Sequence, residues 1–522
     1  MPTPRDDAAP TSDISEHAPL SPGREEVEAV RRWARAAAVW LLPPTVALVA
    51  AAAPPWLTSQ PAPASFEAYT AGIEQRVHER LERDDVPGAA VAVVVNGSTA
   101  WVEGFGVADR STSEPVVADT VFQAGSISKS VIAWAVLHLA ETGRVDLDAP
   151  VEAQIEGWQL AASEHPTDQV TPRRLLAHTA GLPFAVGGLP ASVDRLRAGE
   201  VDPALLRIEH EPGSRFVYSN PGYAVLGLLI EEAAGRPLEA FMAEEILGPL
   251  GMHDSTFALD ERLAVRAATG HGPDGAPVSV DWQGPVGASG LHTTAPDLAR
   301  FAAAAHVGAA GAEVLEPEAV DRLHRPRSST AGVPHRLMAE AAGWGHFVDT
   351  MTDGTVVVSH GGEEEGWIGG FVTVPATGDG LVVLTNSRNS YPLLIGELAA
   401  WARWNGLDEL RMPRSHQWLA AGARGATGLL AATAVVLAWG PLHELRAGRR
   451  PAAPWSAHRW GRRSVQLALA SVLLAGWWSV AAGLVTIFLP QLAAWLGVAV
   501  TVAAAVLVAR VLWVPSSPPD GP

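Results

Sequence analysis

Cysteine is absent from the 522 residues, which removes disulfides, thiolate catalysis and cysteine-ligated metals from consideration. Lysine is almost absent as well: arginine fills every other basic position, and Lys129 in "VFQAGSISKS" stands alone. Basic tracts are missing except at the ends of apolar runs. With 37 basic against 56 acidic residues and a net charge of −19, nucleic acid is not an expected partner. The 17 histidines form no H-x-x-x-H or H-E-x-x-H pattern, so neither a metal nor any other cofactor is expected.

Apolar residues, by contrast, make up 48% of the chain, a high share for a wholly soluble protein. Residues 1–30 read as a disordered cytoplasmic tail, because they begin with a stretch rich in Pro, Asp, Ser and Ala that offers little to bury. Residues 31–64 read as a signal anchor or signal peptide. Arg31, Arg32 and Arg35 precede an apolar stretch from Ala36 to Leu57, and Ala62-Pro63-Ala64 has the small-x-small form of a cleavage site. The long leader favours an uncleaved anchor, with twin-arginine export as the lesser alternative.

Three further apolar runs, Gly425 to Leu442, Ser464 to Leu489 and Leu492 to Trp513, lie within residues 416–514, and each is about as long as a bilayer-spanning helix requires. The short loop between the first two carries Arg446, Arg449, Arg450, Arg459, Arg462 and Arg463, which belong on the cytoplasmic side. Four spans then make a multi-pass protein of the cell membrane. Residues 65–415 lie on its extracytoplasmic side, and residues 515–522 form a second cytoplasmic tail.

The 65–415 segment reads as one α/β (α+β) unit. Two β-rich runs flank Asn96-Gly97, the strongest short hairpin signal, and read as the edge of an antiparallel sheet. "GFG" at 104–106 lies inside a hairpin strand rather than opening a helix, so it is no nucleotide loop. Ile127, Val131, Trp134, Ala135 and Leu139 have the helical period, with Gly143 as the stop. Helical segments dominate from Asp146 to Ala305, and "TVVVSHGG", "GGFVTVPATG" and "LVVLTNS" read as three late strands. The sheet is therefore expected to be assembled from both chain ends, with a helical lobe inserted between them.

Ser126 falls at the start of the predicted helix, where unpaired amides and the positive dipole end favour a developing oxyanion. Lys129 lies one turn on, on the same face. A desolvated lysine loses its proton near neutral pH and serves as a base; arginine cannot. Alone, S-x-x-K is a weak signal that a helix N-cap beside a solvated lysine would also produce. Two further segments add to it, Tyr218-Ser219-Asn220 before a helical run and His360-Gly361-Gly362 at a strand end.

With these motifs the chain resembles the serine β-lactamase and penicillin-binding protein superfamily, in the branch of class C β-lactamases, D-alanyl-D-alanine carboxypeptidases and family VIII esterases. The resemblance covers residues 66–400 and includes "LLAHTAGLP" at 175–183 and "GASGLHTTAPDLARF" at 287–301. It implies a β-lactamase/transpeptidase-like fold and a serine hydrolase working through an acyl-enzyme. Ser126 would be the nucleophile, Lys129 its proton acceptor or relay, and Tyr218 the base and then the acid toward the leaving group. Asn220 would bind a substrate amide and orient the lysine. His360, Gly361 and Gly362 would replace the usual Lys-Thr-Gly element, the amide of Glu363 would pair with that of Ser126 as an oxyanion hole, and His178 would be architectural.

The departure at this third element bears on substrate. Glu363, Glu364 and Glu365 beside the cleft would repel a substrate carboxylate by about a few kcal/mol unless they form a solvated turn facing away. The expected partner is a small-molecule or peptide acyl substrate, with peptidoglycan-derived peptides as one class, and with neutral or amine-bearing esters and amides preferred over β-lactams. A non-hydrolytic penicillin-binding receptor or regulator of the cell envelope is the alternative.

Overall fold

The computed structural model describes residues 61–185, 187–278, 286–306, 313–330, 332, 334–446, 460–481 and 489–512. The predicted cytoplasmic tails, most of the predicted N-terminal anchor and most of the arginine-rich loop lie outside these residues.

Asn96 and Gly97 both take left-handed backbone angles, φ of 50° and 73°, which suit the tight turn between β1 (Gly88–Val95) and β2 (Ser98–Asp109). In "GAAVAVVV" neither side of the strand is polar, so both faces must be covered. β1 is also an interior strand and not the expected sheet edge, because it pairs on both sides, with β2 and with a strand from late in the chain. The edge is β3 (Glu114–Pro115), which pairs with β2. The remaining strands come from late in the chain: β4 (Ser328–Ser329), β5 (Ala341–Ala342), β6 (Phe347–Thr350), β7 (Val356–Glu364), β8 (Trp367–Val374) and β9 (Asp379–Thr385). The sheet runs β3-β2-β1-β9-β8-β7-β6-β5-β4, antiparallel throughout. The join between the early and late strands is β1 with β9, Ala89 opposite Thr385 and Val94 opposite Gly380.

Alternation along the strands divides the core in two. Ala90, Ala92 and Val94 of β1 face the helical lobe and share one core with α2 (Ser128–Glu141), α3 (Asn220–Ala234) and α4 (Ala295–Ala304), of which α4 packs on the strand. Ala89, Val91 and Val93 face the opposite layer, made by α1 (Phe66–Arg83) and α6 (Tyr391–Trp404), with the short α5 (His335–Met338) set apart at the far end of the sheet. In that layer Tyr69 stacks on Trp404 at 5.2 Å, and Arg76 binds buried Glu397 through two hydrogen bonds of 2.9 and 2.7 Å. Arg76→Ala leaves that carboxylate uncompensated. It is expected to destabilise the domain by about 3 kcal/mol, the low end for a broken buried pair because Arg76 remains 32% exposed, as checked by denaturant unfolding.

Beyond α6 comes α7 (Arg411–Arg446), 36 residues long, then α8 (Trp460–Gly476) and α9 (Pro490–Leu512). Two apolar stretches, Arg411–Trp439 and Leu492–Ala509, are long enough to cross a bilayer. They expose large apolar side chains such as Leu429 and Trp495. The run predicted from Ser464 to Leu489 is different: its apolar helix, Ser464–Ser479, is shorter than a span, and residues 482–488 are outside the described residues.

Candidate active site

Ser126 sits not in the first turn of α2 but in the tight 3-10 turn just before it, Gly125–Ile127. Gly125 has φ of +55°, and a Cβ there would come within 2.9 Å of the Glu363 amide nitrogen, so only glycine lets the turn approach β7. Gly362 makes the reciprocal approach to the carbonyl of Ala124. β6 pairs only with Val356–Ser359 of β7, and that leaves His360–Glu364 along an open edge beside Ser126.

Lys129 is fully buried, and its Nζ donates to Ser126 Oγ at 3.0 Å and to the carbonyl of Ala288 at 2.8 Å. Burial pushes the amine down to about 7, with Glu364 opposing the fall. The segment containing Ala288 is laced to the nucleophile turn: Leu291 N–H donates to Ser128 Oγ at 2.9 Å, and Ala124 N–H donates to the carbonyl of Leu291 at 2.8 Å. This strap accounts for "GASGL" in physical terms.

Tyr218 completes the group. Lys129 Nζ, which donates to the Ser126 hydroxyl, lies 5.0 Å from the Tyr218 ring centre. Burial raises the phenol above its ordinary value, and the Ser126 hydroxyl offsets part of that rise. "LLAHTAGLP" fixes its position. His178, left-handed at φ 57°, accepts the Ser219 N–H on Nδ1 at 3.1 Å, its carbonyl takes the Val217 N–H at 2.8 Å, and its ring lies 4.4 Å from that of Tyr218. Burial holds the His178 imidazole far below its usual range, so it is neutral.

The other predicted residues line the same edge in different ways. Asn220 opens α3, but its amide nitrogen donates to the carbonyl of Ala185 at 2.6 Å and not to the lysine's surroundings, while its Oδ1 is buried without a partner among the described residues. Orienting the lysine falls to the Ala288 carbonyl, a correction to the expectation for Asn220. His360 is buried against Phe347, its Nδ1–H donates to the Gly361 carbonyl at 2.7 Å, and burial followed by the Lys129 charge pushes it down to about 3. A neutral imidazole cannot replace a lysine as a carboxylate holder.

The glutamates form neither a common repulsive patch nor a common solvated turn. Glu363 is ion-paired with Arg388 and accepts the Tyr391 hydroxyl at 2.6 Å. Glu365 is exposed in the turn after β7. Glu364, on the other side of the strand, is half-buried, and burial pushes its carboxyl up to about 8 with Ser289 opposing the rise. The alternation of a strand separates neighbours that look alike in sequence.

A family profile described as Beta-lactamase matches residues 73–403. The chain belongs to the beta-lactamase family. Penicillin-binding protein 4 of Amycolatopsis lactamdurans is 31% identical over 345 residues, covering 60% of this chain and 86% of that protein. Among solved structures, the octameric penicillin-binding protein homologue from Pyrococcus abyssi is 25% identical with a TM-score of 0.56, covering 66% of this chain and 80% of that one. A beta-lactamase/D-alanine carboxypeptidase from Pseudomonas syringae shares the fold at 19% identity and a TM-score of 0.54, covering 63% of this chain and 98% of that one. This beta-lactamase-family chain therefore has the β-lactamase/transpeptidase-like fold of serine hydrolases. Three features of its site escaped sequence reasoning. The Ala288 carbonyl is a backbone group with no sequence signal, and the side of the strand that Glu364 takes depends on strand phase. His335, which stacks on Tyr218 at 4.7 Å, gave no signal either, since the short helix α5 carries no recognisable motif.

Proposed function

We propose that the chain is a membrane-held serine hydrolase that cleaves ester or amide bonds through an acyl-enzyme on Ser126, at the extracytoplasmic face. The observation that supports this reading best is the convergence of a buried lysine amine and a phenol on one partly exposed serine hydroxyl. Lys129, free of its proton near neutral pH, takes the Ser126 proton as Oγ attacks the acyl carbonyl, while the amides of Ser126 and Glu363 receive the oxyanion. Tyr218 passes a proton to the leaving group as the tetrahedral intermediate collapses, and water then cleaves the ester by the reverse relay. Asn220 Oδ1, without a partner among the described residues, is the acceptor offered to a substrate amide.

Neutral acyl substrates fit best. His360 is uncharged, Arg388 is occupied by Glu363, and Glu364 adds negative charge above its own titration, so a substrate carboxylate meets no unopposed cation beside β7. Peptidoglycan-derived peptides bearing an amine, and uncharged esters, are the substrate classes this favours, and turnover of β-lactams is expected to be weak. The two apolar helices support a membrane anchor that keeps the site near its surface.

A serine-directed fluorophosphonate is expected to label the wild-type protein and not Ser126→Ala. A chromogenic acyl ester is expected to give an adduct on the Ser126 peptide that decays as product appears. An adduct that persists with no product would instead indicate an envelope sensor, and labelling that survives in Ser126→Ala would remove the proposed nucleophile.

A further inference from the structure

The stretch of β7 beside Ser126 is held by the sheet on one side only. β6 leaves it after Ser359, so among the described residues His360–Glu364 keeps only β8 as a strand partner, with Glu363 opposite Ile368. Glu363 turns its backbone toward the nucleophile: its N and O would lie 2.9 and 3.2 Å from a Cβ on Gly125. The N–H and C=O of one strand residue point to the same side, so the Glu363 amide is not tied into the ladder with β8. Its side chain, however, is tied. Glu363 Oε1 is ion-paired with Arg388 Nη1, and Oε2 accepts the Tyr391 hydroxyl at 2.6 Å. The same guanidinium nitrogen donates to the Glu364 carbonyl at 3.4 Å.

The two residues that grip it come from a segment pinned to the sheet. Arg388 begins the 3-10 turn Arg388–Ser390, and Tyr391 is the first residue of α6. Just ahead, Asn386 is fully buried. Its Oδ1 accepts the Gly88 N–H at 2.8 Å, and its Nδ2 donates to the carbonyls of Ala108 at 3.0 Å and Thr269 at 3.1 Å. Ser387 Oγ caps the turn by accepting the Asn389 N–H at 3.1 Å. "TNSRNSY" at 385–391 thus links β1 and β2 to the open end of β7. No acylation step uses the Arg388 or Tyr391 side chain, and charge-assisted bonds to both carboxylate oxygens fix direction as apolar packing does not.

We propose that Arg388 and Tyr391 are positioning residues for the oxyanion hole, holding the Glu363 amide at the Ser126 turn by way of the Glu363 side chain. The inference rests on the serine-hydrolase reading and deepens it. The Glu363 carboxylate takes no part in the chemistry; it is a handle. With both its oxygens held, the strand end keeps the amide where the carbonyl oxygen gains charge as Ser126 Oγ attacks. With the handle loose, the strand end swings about its single ladder, and the amide meets that oxygen at a poorer angle and distance. Substrate binding before attack does not depend on this bond and is left nearly unchanged.

The test is steady-state kinetics on a neutral chromogenic ester, with the full chain in detergent, beside inhibition by an arylboronic acid, whose tetrahedral adduct on Ser126 sets an oxygen in the same hole. Tyr391→Phe removes one hydroxyl and is expected to lower kcat about tenfold, part of the roughly 10²- to 10³-fold that loss of a whole oxyanion donor costs. KM is expected to stay within about twofold, and boronate affinity to fall in step with kcat/KM. Arg388→Met is expected to behave likewise, and Arg388→Lys, which keeps a cation beside Glu363, to recover most of the loss. In Glu363→Ala the handle is gone, so adding Tyr391→Phe is expected to cost nothing more. No loss in Tyr391→Phe, or losses that multiply in the double variant, would show that Tyr391 does not act through Glu363, and the proposal fails. Should Arg388→Met not fold, the cycle of Tyr391→Phe with Glu363→Ala decides alone. Fluorophosphonate labelling of the Ser126 peptide separates the two levels. A labelled wild type with multiplying losses overturns the role of Arg388 and Tyr391 alone, whereas an unlabelled wild type overturns the hydrolase reading and this role with it.

Discussion

Lys129→Arg is expected to lower kcat/KM by about 10²- to 10⁴-fold, the contribution of a positioned general base. The cause is charge and not reach. Burial brings the lysine amine to about 7, so a large fraction is free base in neutral solution. A guanidinium keeps its proton at any working pH and cannot take one from Ser126. Lys129→Met removes the base as well, and it separates catalysis from stability. The amine titrates near 10.5 when free and near 7 in the folded protein, so between these values the unfolded chain binds the extra proton and wild-type stability rises with pH. Lys129→Met is therefore expected to be inactive yet more stable than wild type. Its advantage is full below about pH 7 and shrinks as pH climbs toward 10.5, a trend thermal or denaturant unfolding in a buffer series will read.

Gly362→Ala is expected to cost about 10²- to 10³-fold in kcat, the loss seen when one oxyanion donor is removed, with a smaller change in KM. Its backbone φ is one that alanine accepts, so conformation is not the obstacle. The obstacle is the carbonyl of Ala124, 1.8 Å from where the new Cβ would stand. β7 must then draw back from the Ser126 turn, and the Glu363 amide goes with it. Gly361→Ala is the matched control: its Cβ would meet nothing closer than 3.7 Å, and it is expected to lose far less. Steady-state kinetics on one ester decides between them; equal losses would show that the glycines matter to the strand as a whole and not through this contact.

The parts of the site visible in sequence are those whose chemistry forces a residue type at a local spacing. Ser126 and Lys129 are three apart because one turn of helix joins them, and the scarcity of lysine made that pair conspicuous. Tyr218 with Asn220, and the glycines after His360, were legible through resemblance, and the hairpin at Asn96-Gly97 through backbone angles that few residues adopt. What stayed hidden depends on distant chain. The fate of Glu363 is set by Arg388, 25 residues later, and that of Glu364 by Ser289, 75 residues earlier. The interior place of β1 follows from a partner strand at the far end of the domain, and the two short strands β4 and β5 carry no period to recognise. The lysine's second acceptor is a carbonyl, which every residue has.

The pairing of β1 with β9 has a consequence for biogenesis. Ala89 waits for Thr385, and at about 5–20 residues per second the roughly 300 residues between them take about 15–60 s to synthesise. Throughout that interval the nascent hairpin presents a bare apolar flank, able to join any other unfinished strand it meets. Closure of the domain thus waits until the chain has been made past Thr385, and whatever escorts this polypeptide must keep that flank covered until the late partner strand arrives.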